Sequence, residues 1–184
     1  MEPLTPMADE KKETWLNYLA LTSVILAVCA TLSTFRGGSY STRTMLSQTQ
    51  ASDQWAFYQA KSLKENMYEI QKLELERQVK LLSAKCPVEL RRSYDEQIQD
   101  YQKRIARYEG ERSQIENTAR KLETARDDAL RHGQAFGIAV IFFQVAILLS
   151  SIAALMKKKM LWILGAATGL GGLVFFINGF WVWF

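Results

Sequence analysis

Catalysis and metal binding need nucleophiles, bases or ligands brought close together, and this 184-residue chain scatters them. Its only histidine is His132, and its two cysteines are Cys29 and Cys86. A zinc site draws on three or four such side chains, and a Ser-His-Asp or Cys-His relay needs its members in contact. Here Cys29 lies within an apolar run, Cys86 beside Pro87 in a charged region, and His132 at the edge of another apolar run. The carboxylate pairs Glu74/Glu76 and Asp127/Asp128 stand in charged helical stretches, where solvation is their ordinary state. Gly169-Leu170-Gly171-Gly172 lacks the lysine and the strand-to-helix setting of a phosphate loop. No catalytic set, cofactor site or metal site emerges. The expectation is a protein that is not an enzyme and for which no small-molecule substrate is inferred.

The other polar groups of interest sit inside apolar sequence. Gln144 and Asn178, with Thr22, Ser23, Ser150, Ser151 and Thr168, can hydrogen-bond between helices. In a ring of copies, Gln144 or Asn178 can instead line an uncharged pore. Gly165 and Gly169 form a GxxxG pair, extended by Gly172 and Gly179 along nearly one helix face. Small residues let backbones approach closely, so these four glycines mark a packing surface, either against the chain's own spans or between subunits.

The elements that must carry these groups follow from charge. Trp15–Phe35, Gly133–Met156 and Met160–Phe184 contain no Asp, Glu, Lys or Arg, so every charged residue falls outside them. A bilayer core of ~30 Å takes about 20 helical residues to cross, and each segment is long enough. An ordinary water-soluble core does not sort charge this way. The first apolar run, at about 20 residues, exceeds the ~7–15 of a cleaved signal sequence, and Val28 spoils a lipoprotein cleavage box before Cys29. It reads as an uncleaved anchor. Lys157–Lys159, the one short loop between spans, is predicted to be cytoplasmic by the positive-inside rule. Alternation then places the N-terminal tail (1–14) inside and residues 36–132 outside.

That outer region holds 18 basic and 15 acidic residues in mixed order, which describes a solvated helix surface and not a nucleic-acid patch. Gly and Pro are rare in it, so two long helices with one break are expected. In the second, Ile98, Tyr101, Ile105, Tyr108, Ile115 and Leu122 keep the 4-3 spacing of a coiled-coil seam. In the first, Ala60, Leu63, Met67 and Ile70 keep the same rhythm, extended by Ala56, Glu74, Arg77 and Leu81, with Leu75, Val79 and Leu82 as a competing stripe. Pairing these seams antiparallel, with Leu63 on Tyr108 and Ala60 on Arg112, centres the turn on Cys86 and Pro87. Pro87 suits the first helical position. The arms then cover about 44–84 and 87–132 with a tip near 85–87, and the second arm can run unbroken into the second span. Trp55, Phe57 and Tyr58 cannot all face one seam, so at least one is expected to meet lipid headgroups or a neighbouring subunit.

The run from Trp15 through Ser62, and most specifically QTQASDQWAFYQAKS (Gln48–Ser62), resembles an uncharacterised bacterial family of inner-membrane proteins known only as a domain of unknown function. The likeness covers nearly the whole chain. It implies a bacterial inner-membrane location and carries over no catalytic residues. The fold expected is all-α: three transmembrane helices (15–35, 133–156 and 160–184) with a long antiparallel coiled-coil hairpin between the first and second, its tip periplasmic. The function expected is a homo-oligomeric scaffold in contact with membrane lipid. The alternatives are an accessory subunit docking another envelope protein by the hairpin tip (Cys86, Pro87), and an oligomeric channel with an uncharged pore.

Overall fold

The computed structural model describes residues 14–81 and 87–183, and these form three helices: α1 (Thr14–Leu81), α2 (Val88–Met156) and α3 (Lys159–Trp181). No strand occurs among the described residues. Cys86, expected at the tip, lies outside them. α1 continues through Gly37 and Gly38 and α2 through Gly133 and Gly137. Isolated glycines each cost a helix only about 1 kcal/mol, and with no proline inside either helix nothing stronger opposes them. The expected unbroken run of helix from the second arm into the second apolar segment is therefore present. Pro87 stands one position earlier than expected, just before the helix. Its carbonyl accepts from Leu90 N–H at 3.1 Å and Arg91 N–H at 3.3 Å, which starts α2.

α2 ends in a defined cap. Lys157 takes a left-handed conformation (φ 53°), its N–H donates to Ala154 O, and Lys158 N–H donates to Ala153 O. This paired pattern is the Schellman motif, normally built on glycine. Lys159, expected in the loop, is already the first residue of α3.

The chain divides into two compact units. One holds α1 up to Thr44 together with the chain from Asp127 onward; the other is Met45–Arg126. The first unit thus keeps short stretches on either side that sequence reasoning gave to the hairpin. Packing explains this: Tyr40 stacks on His132 (centroids 4.7 Å) and on Phe136 (5.9 Å), and a Cβ placed on Gly37 would lie 3.4 Å from Phe136 Cβ.

Within the first unit, Leu26, Ala139, Phe143 and Ala146 form the buried cluster, with Cys29, Ala30, Leu173 and Phe176 packed around it. Large aliphatic chains face outward instead, among them Leu21, Val24, Ile25, Leu148, Ile163 and Val174. All three helices are long and apolar enough to cross a membrane.

The second unit is an antiparallel pair of arms, and it overturns half of the expected seam. On α2, Tyr94, Ile98, Tyr101, Ile105, Tyr108, Ile115 and Leu122 are half-buried and Ala119 is fully buried. On α1 the expected residues face away: Ala60 is exposed, and Leu63, Met67 and Ile70 are 63%, 53% and 67% exposed. The inward stripe is Ser47, Ala51, Gln54, Tyr58, Lys61, Glu65, Tyr68, Lys72, Leu75 and Val79, all buried or half-buried. It too keeps strict 4-3 spacing, offset two residues from the expected stripe. At 3.6 residues per turn that offset is about 200°, the opposite face of the helix. The competing stripe through Leu75 and Val79 in fact runs the length of the arm.

A left-handed backbone costs a non-glycine residue about 1–2 kcal/mol and suits β-branched residues least. In the full-length protein in detergent, Lys157→Gly should unfold at the same temperature or higher. Lys157→Val should lose about 1–2 kcal/mol. Thermal melts followed by helical circular dichroism make the comparison.

Candidate functional site

Two surfaces concentrate the sequence-predicted residues: the glycine face of α3, and the polar seam between the stalk arms. On α3, Gly165, Gly169, Gly172 and Gly179 are all buried. A Cβ on Gly165 would lie 3.1 Å from Ala146 O and 3.2 Å from Ser150 Oγ. On Gly169 it would meet Leu26 Cδ2 at 2.8 Å, on Gly172 Phe143 Cδ1 at 2.8 Å, and on Gly179 Phe136 Cε1 at 2.9 Å. Of the two roles open to these glycines, packing against the chain's own helices is the one they occupy. Phe136 and Phe143, both fully buried, fill the slots the glycines leave.

Polar groups lock the same helices at their ends. His132 Nδ1 lies 2.8 Å from Gly179 O, so in the tautomer with hydrogen on Nδ1 it donates to the end of α3. Its ring is sandwiched against Tyr40, with Asp128 4.0 Å from Nε2. Trp162 Nε1 donates to Thr22 Oγ1 at 3.2 Å and ties the start of α3 to α1. Asn178 is buried, and its Oδ1 accepts from Trp183 N–H at 2.7 Å while its carbonyl accepts from Val182 N–H at 2.6 Å. These two bonds cap the end of its own helix, where Val182 turns left-handed (φ 47°). Gln144 is exposed on α2. The hydroxyls of Ser23, Ser151 and Thr168 donate to carbonyls four residues back on their own helices, at 2.9 Å each. This differs from the interhelical bonding expected, because a helical Ser or Thr reaches its own preceding turn without needing a partner.

The stalk seam is ionic and aromatic. Glu65, only 7% exposed, lies 3.0 Å from Arg112 Nη1, near enough for an ion pair though off-line for a hydrogen bond. The Arg112 guanidinium also covers the Tyr58 ring at 5.3 Å and donates to Ser62 Oγ at 3.4 Å. Arg112 therefore sits on Glu65, Ser62 and Tyr58, and the expected pairing with Ala60 is replaced. Tyr108 likewise meets Tyr68 (5.8 Å, stacked) and Lys61 in place of Leu63. Lys61 and Arg107 both bond Glu111, and together they hold its carboxyl below the usual range. Trp55 Nε1 donates to Glu123 Oε1 at 2.9 Å, and Arg126 Nη1 donates to Gln48 Oε1 at 2.6 Å. Of the three aromatics expected at a contact surface, Trp55 and Tyr58 are half-buried in this seam, and Phe57 alone is mostly exposed.

No group of three or more His, Cys, Asp and Glu suited to a metal occurs among the described residues. One recess of the first unit is an open groove lined by Arg131, Gln134, Phe175, Asn178 and Trp183, without a nucleophile or a paired base.

Two outcomes check these surfaces. Gly172→Ala forces a methyl onto Phe143 and should cost about 1–3 kcal/mol, whereas Gly38→Ala, with nothing within 4 Å, should gain about 0.5–1 kcal/mol. In the stalk, Arg112→Met strands the buried Glu65 carboxylate and should cost about 3 kcal/mol. Adding Glu65→Met should recover most of that loss. Unfolding of the single and double variants in detergent gives the coupling directly.

No curated protein and no solved structure matches the chain. A family model described as "Domain of unknown function (DUF4337)" matches residues 15–182. With that match running from the start of α1 past the end of α3, the chain belongs to the DUF4337 family.

Proposed function

We propose that the protein is a non-enzymatic, integral membrane scaffold that works by assembly, its three apolar helices embedded and its charged arms displayed in water. One observation carries the reading: each unit leaves a set of large aliphatic side chains facing outward. In the first unit, Gly, Ala, Ser and Phe make up most of the interior, with Leu19 and Leu26, while most Leu, Ile and Val cover the outside. That is the reverse of a water-soluble bundle and matches helices solvated by lipid, where small residues make the contacts. In the second unit, Leu63, Met67 and Ile70 stay exposed although the arm beside them offers a long seam. Exposed apolar surface that a chain does not use itself marks an interaction site.

A scaffold is favoured over a channel by the two amides that a pore would use. Asn178 caps its own helix, and Gln144 is on the outer surface of α2. The positive Lys157–Lys159 turn supports an orientation with that end on the cytoplasmic side of a bacterial inner membrane and the arms periplasmic.

The test is extraction and mass. The protein should stay with membranes through alkaline carbonate and, in mild detergent, elute with a mass that is a whole-number multiple of the 21.1 kDa chain. Release by carbonate overturns the membrane reading, and a strictly monomeric mass overturns the assembly reading. With the outer membrane permeabilised, an impermeant thiol reagent should label Cys86. Labelling only after the inner membrane is opened reverses the orientation.

A further inference from the structure

The outer face of the first arm is a second heptad seam. Ala56, Ala60, Leu63, Met67 and Ile70 follow 4-3 spacing without a break, all five are exposed, and they lie about 200° around α1 from the stripe that meets α2. Phe57 and Leu73, 59% and 62% exposed, widen it. Charged residues bound it at both ends. Asp53 stands where the preceding layer would fall, and Glu74 and Arg77 occupy the next two layers while paired with each other at 2.8 Å.

The flanks identify what fits there. Positions that border a coiled-coil seam usually carry charges that select a partner. Here they are Gln59, Asn66, Gln71 and Gln78, with Lys64 the one charge at the bordering positions. α1's other charges in this stretch are Lys61, Glu65 and Lys72, on the inward face against α2, and Glu69, exposed beside Ile70 but outside the bordering positions. A seam with amide borders meets a copy of itself without like-charge repulsion, and each amide offers both a donor and an acceptor to its counterpart. A strongly charged partner would meet only Lys64 and Glu69 beside the stripe. Two alanines at one end allow close approach, and Leu63, Met67 and Ile70 supply the buried area.

We propose that this face is a homotypic interface: the first arms of two copies pair in parallel through Ala56, Ala60, Leu63, Met67 and Ile70. The proposal rests on the membrane-scaffold reading, which supplies two of its conditions. Copies anchored through the same spans send α1 out in the same chain direction, so a parallel register is available without rearrangement. A seam of about two heptads is marginal for helices free in solution, but confinement to one membrane raises the effective concentration at which the arms meet.

The experiment is site-directed crosslinking in the full-length protein, reconstituted in lipid vesicles, with Cys29 and Cys86 replaced by serine. Leu63→Cys and Ile70→Cys point into the proposed seam, and Ala106→Cys, exposed on α2, is the control. Mild oxidation should shift Leu63→Cys and Ile70→Cys to twice the chain mass and leave Ala106→Cys at the monomer mass. Leu63→Lys combined with Ile70→Lys should lower the mass found in mild detergent while helix content stays unchanged. Equal crosslinking at Ala106→Cys, or none at either seam position, overturns the proposal, as does a crosslink to a different polypeptide. If the unmodified protein is oligomeric by mass while the seam positions stay monomeric, the scaffold reading stands and this interface does not. A monomeric mass removes both.

Discussion

Everything in the first unit depends on how closely α3 can approach the other two helices. Glycine at 172 and 179 leaves slots in which Phe143 and Phe136 lie at distances no side chain on α3 would permit. Phe136 is the centre of this packing, with Tyr40 stacked on one side and Phe176 and Phe180 edge-on at 5.8 and 5.2 Å. Rings that meet face-to-edge gain about 0.5–1.5 kcal/mol per pair beyond their buried area. With the helices in lipid, as proposed, no hydrophobic push holds them together, and this dispersion and ring contact supplies the attraction. The hydrogen bonds from His132 and Trp162 then fix α3 at both of its ends.

The stalk solves a different problem. Two long helices joined through an apolar 4-3 seam can slip by a heptad and lose little, because every layer resembles the next. A seam of Glu65 with Arg112, Lys61 with Glu111 and Trp55 with Glu123 cannot. Sliding it by seven residues leaves a buried carboxylate without its guanidinium, at a cost of several kcal/mol. The ionic seam gives up some stability relative to an apolar one and fixes a single register. It also leaves the apolar stripe of α1 unused within the chain.

Much of this was legible in sequence. The helices were, because the punctuation that breaks them is at Pro87 and at the lysine turn, and the glycines elsewhere are isolated or in the two pairs Gly37-Gly38 and Gly171-Gly172. The α2 seam was readable because its layers are tyrosine, isoleucine and alanine. The α1 seam was misread for a physical reason: the arm carries two strict 4-3 stripes on opposite faces, and ranking by hydrophobicity selects the outer one. The discriminating signal was complementarity. Only the stripe with Tyr58, Lys61 and Glu65 offers partners for Arg112 and Glu111 on the other arm. The role of Asn178 was not legible, since it depends on the left-handed turn at Val182, a conformation that valine does not advertise.

The two stripes of α1 also explain each other. Had the apolar face been turned toward α2, the hairpin would have satisfied itself, and the outer surface of the stalk would have been charged and inert toward copies of itself. Assigning charge and aromatic stacking to the intramolecular seam lets each chain fold in one register on its own. The uncharged stripe then remains for a contact made between finished molecules. Bounding that stripe with Asp53 and the Glu74–Arg77 pair keeps it short. A short apolar contact is too weak to drive aggregation of free chains, and the proposed pairing draws on a common membrane to hold the arms side by side.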